Sequence, residues 1–370
     1  MPFEKVKGNL GFGAMRLKMT DDKVDYGEFN KMIDAFIDAG FNYFDTAHGY
    51  IDGKSEIALR ECLVSRYDRE DYVLADKLSA WLFEKEEDIM PMFNKQLECC
   101  GVDYFDFYLF HCINNETYPK HKRCNSFDVI RKLKEQGKIK HIGMSFHDTA
   151  DYLDTVLTEQ PWIEFVQLQF NYLDYDDPGV QSKKCYDVAV KHNKKVIVME
   201  PVKGGYLATL PDKAAEVFSP FGNKTHASYA LRFAASFEGV FMVLSGMGDM
   251  AMMNDNISTF KPFIPMSEQE MAAAHNAREI IREVRQIQCT KCNYCADVCP
   301  KNIPISETFA SYNSLLAAKK TRAEAKNTLP VTENNAASCI KCGECEKVCP
   351  QKITIRTHLE KITRVFKLNK

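Results

Sequence analysis

Between residues 10 and 260 the chain alternates short apolar runs with longer amphipathic ones, eight times over. The apolar runs are LGFGAMRL from Leu10, FNYFDTA from Phe41, YVLADKL from Tyr72, DFYLFHCI from Asp106, IKHIGMSF from Ile139, FVQLQFN from Phe165, KVIVMEPV from Lys195 and GVFMVLSGM from Gly239. Each has the length and composition of a strand. Stretches such as DYGEFNKMIDAFIDAG, SFDVIRKLKEQGK and ADYLDTVLTEQ, spaced for one apolar helical face, lie between them. A strand, a helix and a next strand pair in parallel through a right-handed crossover. Eight such units in about 250 residues predict a closed (β/α)8 TIM barrel, with a doubly wound open sheet as the alternative.

A barrel of this kind presents its chemistry at the C-terminal ends of the strands. Asp45 ends the second run, Lys77 the third and His111 the fourth, while Tyr50 sits in the Gly-containing loop after Asp45. One mouth would then hold a carboxylate, an ammonium, an imidazole and a phenol. An ion pair at a strand end beside a loop tyrosine is the bland reading of any one of them, but it fits the four together poorly. His48, between Asp45 and Tyr50, either lines the pocket or caps the loop. Cys112 follows His111, so alternation should turn it away from the barrel interior. Lys120, Lys122 and Arg123, in the loop expected after the fourth strand, either select an acidic substrate or form a solvated basic surface.

FDTAHGY, ADK and LFH resemble, in order and spacing, the catalytic segments of the aldo-keto reductases, and the likeness spans roughly residues 8 to 260. The resemblance implies that Tyr50 is the general acid protonating a carbonyl oxygen as NAD(P)H delivers hydride. Lys77 would ease loss of the phenol proton, Asp45 would hold Lys77, and His111 would orient the carbonyl. It further implies nucleotide contacts at Ser145, Gln167 and Asn256, and a phosphate cradle at Gly246 and Gly248 in SGMGD. Two positions depart from the family. Met199 stands where a tyrosine often stacks on the nicotinamide, and Gly246, Met247 and Met252 replace the cations that grip a 2'-phosphate. A preference for NADP is therefore not expected, and a flavin remains open as a different redox group.

Fourteen cysteines suggest a disulfide scaffold only in a short secreted chain. Here Cys62, Cys99, Cys100, Cys112, Cys124 and Cys185 are scattered, whereas eight fall into CTKCNYCADVCP from Cys289 and CIKCGECEKVCP from Cys339. Both read C-x2-C-x2-C-x3-C-P, the bacterial ferredoxin spacing, in which the fourth cysteine ligates the other cluster. This predicts one [4Fe-4S] cluster on Cys289, Cys292, Cys295 and Cys349, and a second on Cys339, Cys342, Cys345 and Cys299. Zinc suits paired CxxC groups, but not a third close cysteine and a Cys-Pro, given twice. The segment 305–326 reads as helical. The tail spaces Leu359, Ile362 and Phe366 on one face, as for docking on the protein's own surface.

The domain boundaries expected are a barrel over 1–265, a linker helix over 266–286, opened by SEQE and running to about Arg285, and a small, mostly helical ferredoxin-like iron-sulfur domain over 287–370. Fusions of an aldo-keto reductase barrel with a two-cluster ferredoxin domain form a known subfamily, which the chain resembles along nearly its whole length. Forty-eight basic and 51 acidic residues leave a net charge of -3. That balance argues against nucleic acid as a partner. With no apolar leader and no membrane-length run, a cytoplasmic protein is expected. The partner would be a small carbonyl or alcohol. Nicotinamide moves two electrons and a cluster one, so a second function stays open: electron transfer linked to a flavin or a ferredoxin-like partner, with the barrel holding another cofactor.

Overall fold

The computed structural model describes residues 3–283, 287–316 and 320–369. All eight apolar runs contain strands: β1 Leu10–Gly13, β2 Tyr43–Asp45, β3 Val73–Ser79, β4 Phe105–Ile113, β5 Ile139–Phe146, β6 Phe165–Gln169, β7 Lys195–Met199 and β8 Val240–Ser245. They pair in parallel in chain order, and β8 closes on β1 with Leu10 opposite Val243. The sheet is the closed (β/α)8 barrel and not the open alternative.

Alternation along the strands decides what fills the barrel. Tyr43 of β2, Val73 and Ala75 of β3, and Phe107 and Leu109 of β4 share one buried cluster with Phe165, Ile197, Met242 and Leu244. Phe3 closes it, with its ring 5.1 Å from that of Phe107 and 4.8 Å from that of Phe241. Truncating a ring such as Phe107 to Ala would cost about 3 to 5 kcal/mol, since the lost burial comes with a cavity. Two residues further along the same faces stand Asp45, Lys77 and His111. The period of two that builds the core therefore also carries these polar groups to its upper end.

Helices cover the outside. Asp25 caps α1 (Tyr26–Asp38) by accepting from the backbone N–H of Glu28, and Phe29, Met32, Ile33 and Phe36 form its buried stripe. The short α2 (Lys54–Leu59) follows the Tyr50 loop, and α3 (Ile89–Cys100) follows β3. YPKHKRC is not a loop: α4 spans Thr117–Arg123.

The chain divides into two compact units, Met1–Pro201 with Ser228–Ser267, and Val202–Ala227 with Glu268–Lys370. The expected boundary near residue 265 thus leaves out a segment: 202–227, between β7 and the helix His226–Ala235, goes with the second unit. Its irregular backbone, with Lys203, Gly204 and Gly205 all at positive φ, carries no periodicity from which its packing could be read. The linker helix is Glu268–Glu283; its expected end at Arg285 lies outside the described residues.

In the second unit the two cysteine motifs fold alike, fifty residues apart. Lys291 and Lys341 are left-handed, Asn293 and Gly343 are left-handed, and one-turn helices Tyr294–Asp297 and Glu344–Lys347 follow. Cys299 and Cys349 donate to the carbonyls of Ala296 and Glu346, and then accept from the amides of Asn302 and Lys352. Each copy ends in a helix, Ile305–Leu316 or Ile355–Phe366. The helical stretch expected over 305–326 is two helices, the second being Arg322–Asn327. Ile303, Ile305, Phe309, Tyr312, Ile355, Leu359, Ile362 and Phe366 form this unit's core, so the tail's apolar face does dock on its own protein. Among the described residues no helix is long and apolar enough to cross a membrane.

Candidate active site

The barrel mouth is built around a buried lysine. Lys77 Nζ donates to Asp45 Oδ1 at 2.6 Å and to the Thr46 carbonyl at 2.7 Å, and Lys77 is 0% exposed. Burial raises the Asp45 carboxyl while Lys77 pulls it down, and Asp45 Oδ2 has no hydrogen-bond partner. Removing either member of such a pair strands a charge, at a typical cost of about 3 to 5 kcal/mol.

Tyr50 lies over this pair, its ring centroid 4.9 Å from Lys77 Nζ and 6.1 Å from the His111 ring. The loop that carries it turns sharply. Ile51 and Asp52 are both left-handed, at φ 52° and 53°, which is a strained setting for a β-branched residue. A buried Thr46 Oγ1···Ser55 Oγ hydrogen bond of 2.7 Å ties the loop together, and Ser55 Oγ donates on to the Ala14 carbonyl. The sequence suggests that Lys77 eases loss of the phenol proton. In the structure burial dominates and raises the Tyr50 phenol well above its ordinary value, with Asp45, Cys112, Asp76 and Glu200 acting in the same direction. The phenol therefore keeps its proton at neutral pH.

His111 is held from behind: Ser79 Oγ lies 2.6 Å from His111 Nδ1, both residues being buried. Burial, followed by the charge of Lys77, drives the imidazole well below its usual value, so it is neutral. The half-exposed Trp81 packs its ring 5.0 Å from His111. Sequence reading missed Ser79, whose only signal is that it lies two residues after Lys77 on the same face of β3.

Cys112 does not follow the alternation. Its φ is +55° and the β4–β5 register shifts between Phe110 and Ile113. This bulge keeps its thiol near Tyr50, where it raises the phenol, while its backbone N–H donates to Ser145 Oγ at 2.8 Å. His48 pairs with Glu56, Nδ1 to Oε2 at 2.7 Å, and Lys120 and Lys122 are paired with Glu84 and Glu159. Glu56 is itself unusual, since burial pushes its carboxyl up to about 7. Asp76, turned away from the barrel interior, is also raised well above its usual value, first by burial and then by Glu56.

The residues expected to contact a nucleotide differ in what they already bond. Ser145 of β5 lies opposite Gln167 of β6, and the buried Gln167 Oε1 has no hydrogen-bond partner, an orphaned acceptor that fits a carboxamide N–H. Asn256 Nδ2 instead donates to Ser245 Oγ at 2.6 Å. At Gly246 a Cβ would come within 3.4 to 3.5 Å of the Arg16 side chain, and at Gly248 within 3.3 Å of the Arg16 carbonyl. The glycine turn thus has the aliphatic stem of Arg16 against it, supplied by the segment after β1, a loop that the local motif does not include.

In the second unit the thiols gather across the motifs. Burial raises the Cys295 thiol, and Cys292, Cys289, Cys349 and Cys345 raise it further. Burial pushes Cys345 up to about 11, with Cys339, Cys299 and Cys342 among the neighbours that add to this. Cys299, Cys339, Cys342 and Cys345 also line one cavity. Close thiols, Cys295, Cys345 and Cys349 of them buried, resist ionising together unless a cationic centre takes up their charge, so the donor set fits an iron-sulfur group.

Residues 9–279 match the aldo/keto reductase family, and residues 288–354 match a 4Fe-4S dicluster domain. An aldo-keto reductase of Mycolicibacterium smegmatis is 30% identical over 131 residues, 35% of this chain and 44% of the relative. The chain therefore spans less than half the length of that curated relative. Among solved structures, an aldo-keto reductase from Bacillus halodurans in its holo form superposes with a TM-score of 0.61 at 20% identity, covering 73% of this chain and 91% of the other. An aldo/keto reductase from Klebsiella pneumoniae, solved with NADP and acetate, gives 0.60 at 18% identity, covering 74% and 91%. This chain belongs to the aldo/keto reductase family.

Proposed function

We propose that the barrel reduces a carbonyl, or oxidises the corresponding alcohol, with NAD(P)H, and that the second unit carries two [4Fe-4S] clusters on the crossed ligand sets. The observation that carries the reading is Lys77, fully buried, 2.6 Å from Asp45 and beneath the Tyr50 ring. A reduced nicotinamide, when bound, supplies hydride to the carbonyl carbon. The chain's own residues handle the oxygen. Neutral His111, with Nδ1 engaged by Ser79, offers Nε2–H to that oxygen and fixes its direction.

Tyr50 gives its proton to the oxygen as the C=O π bond breaks. A raised phenol suits this step, because the alkoxide forming there is a far stronger base than a phenolate and takes the proton only as hydride arrives. The tyrosinate left behind lies beside the Lys77 charge, which stabilises it until the proton is replaced, and Asp45 keeps Lys77 in position. Gln167 and Ser145 would receive the carboxamide. Iron-sulfur centres would supply one-electron transfer to a partner, or cross-link the small unit.

The test begins with the iron, sulfide, flavin and nucleotide content of the anaerobically purified full chain, followed by carbonyl reduction with NADH and NADPH. Tyr50→Phe should abolish turnover while leaving nucleotide affinity and cluster content intact. Full activity in Tyr50→Phe would reject the proton donor. Tightly bound flavin, with no binding of either nucleotide, would replace the reading with flavin-linked electron transfer.

A further inference from the structure

Among the described residues a buried cation is built against one of the two cysteine sets, and it does not come from a cysteine motif. Lys203 stands four residues beyond the end of β7 and is 1% exposed. Its Nζ donates to Gln351 Oε1 at 2.6 Å, two residues after Cys349. The next residue, Gly204, is pressed onto Thr290, the neighbour of Cys289. A Cβ at Gly204 would lie 2.6 Å from the Thr290 carbonyl oxygen and 2.7 Å from its Cβ, and φ is +61°. Only glycine fits there. Lys203 too is left-handed, at φ 47°, a conformation that costs a non-glycine residue of order 1 kcal/mol and persists where the surroundings impose it. The segment therefore meets both ends of one ligand set, Cys289 and Cys349.

The other charges near the cysteines differ in kind. Burial raises the Cys349 thiol, while the backbone N–H groups of Ile353 and Gln351 and the charges of Lys352 and Lys203 oppose it. Lys352 is exposed, as are Lys291 and Glu307 near Cys289, so water screens them. Beside the other set, Arg356 is half-exposed and its charge is matched by Glu346 at 2.7 Å. Among the described residues near the cysteines, Lys203 is the buried cation.

We propose that Lys203 separates the reduction potentials of the two clusters, holding the one on Cys289, Cys292, Cys295 and Cys349 above its value without the lysine. This rests on the two-cluster reading above. Gaining one electron makes a cluster one unit more negative, and a positive charge in a low-dielectric setting favours that state. The electron comes from outside the protein, from whatever carrier or chemical reductant is present. The consequence is a bias in the order of filling toward the cluster beside Lys203.

The experiment is a dithionite titration of the anaerobic full chain followed by EPR, on wild type, Lys203→Met, Lys203→Gln and Lys203→Arg, with iron and sulfide counted in each. In both neutral variants one couple should become harder to reduce by about tenfold, ~59 mV for a one-electron couple, while the other stays put and Lys203→Arg keeps the wild-type value. Two unshifted couples, or equal shifts in both, would overturn the proposal. Loss of one cluster from both neutral variants but not from Lys203→Arg would support it through the charge. Loss from all three would overturn it, because shape would then be what the segment supplies. Wild-type protein without iron and sulfide would instead remove the two-cluster reading itself.

Discussion

Ser79 Oγ lies 2.6 Å from His111 Nδ1 in a buried hydrogen bond whose direction goes with the tautomer of the imidazole. A hydroxyl that donates to Nδ1 leaves the proton on Nε2, the nitrogen free to meet a substrate oxygen. Ser79→Ala should lower kcat about tenfold, on the order of 1.4 kcal/mol, with a smaller change in KM. Nitrogen NMR of His111 should show a mixture of tautomers in the variant and the Nε2–H form in wild type, and Ser79→Thr should restore both readings. An unchanged tautomer in Ser79→Ala would deny the positioning role.

Lys77 and Tyr50 should behave as one unit. Lys77→Met removes the charge that stabilises the tyrosinate, so its loss of kcat should approach that of Tyr50→Phe, and the double variant should be hardly worse than either. The check is a double-mutant cycle on kcat/KM. Additive losses would place Lys77 outside the proton-transfer step.

Glu56 predicts a pH dependence of stability. Its carboxyl is pushed up to about 7 in the folded protein against 4.5 in the unfolded chain, so the folded state holds the proton more tightly. Its contribution is fully present below the unfolded value and lost as pH rises through the folded one. The loss amounts to roughly 3 kcal/mol between about pH 4.5 and 7. Urea unfolding at several pH values should show this decline in wild type, and Glu56→Gln should flatten it. A variant with the wild-type slope would assign the decline to another group, with Asp76 the first to examine.

The crossed ligand sets predict where damage appears. Cys349→Ser should perturb the cluster whose other ligands are Cys289, Cys292 and Cys295, and Cys299→Ser the one on Cys339, Cys342 and Cys345. EPR of singly substituted proteins, compared with Cys292→Ser and Cys342→Ser, makes the assignment. Cys349→Ser and Cys342→Ser altering the same signal would refute the crossing.

Arg16 predicts how nucleotide is held. Its aliphatic stem lies against Gly246, and its guanidinium is proposed to serve the pyrophosphate that NADH and NADPH share. Arg16→Leu should then weaken both about tenfold and leave their ratio nearly unchanged. Met252 is half-exposed, and Met252→Arg should favour NADPH alone by about 1 to 3 kcal/mol if the new cation reaches the 2'-phosphate. Fluorescence titration with each nucleotide distinguishes the two. A loss confined to NADPH in Arg16→Leu would move the 2'-phosphate site to Arg16.

The eight strands, Asp45 at the end of β2 with Lys77 and His111 two residues short of the ends of β3 and β4, and both cysteine motifs were legible in the sequence because each is written in local spacing. A period of two places a side chain on a known face, and a C-x2-C-x2-C-x3-C pitch constrains a cluster before any distant contact forms. Cys112 broke that rule because a bulge is set by register with the neighbouring strand. The tertiary structure alone brought Ser79 to His111, Glu56 to Asp76, Arg16 to Gly246, and Lys203 to Gln351, two residues after Cys349. These residues are separated by tens to hundreds of positions, and no local pattern links them. Their meeting depends on barrel closure, strand register and the course of a loop whose backbone has no period. The physical reason is the same in each case: burial sets what a charged or polar group does, and burial is a property of the packed chain.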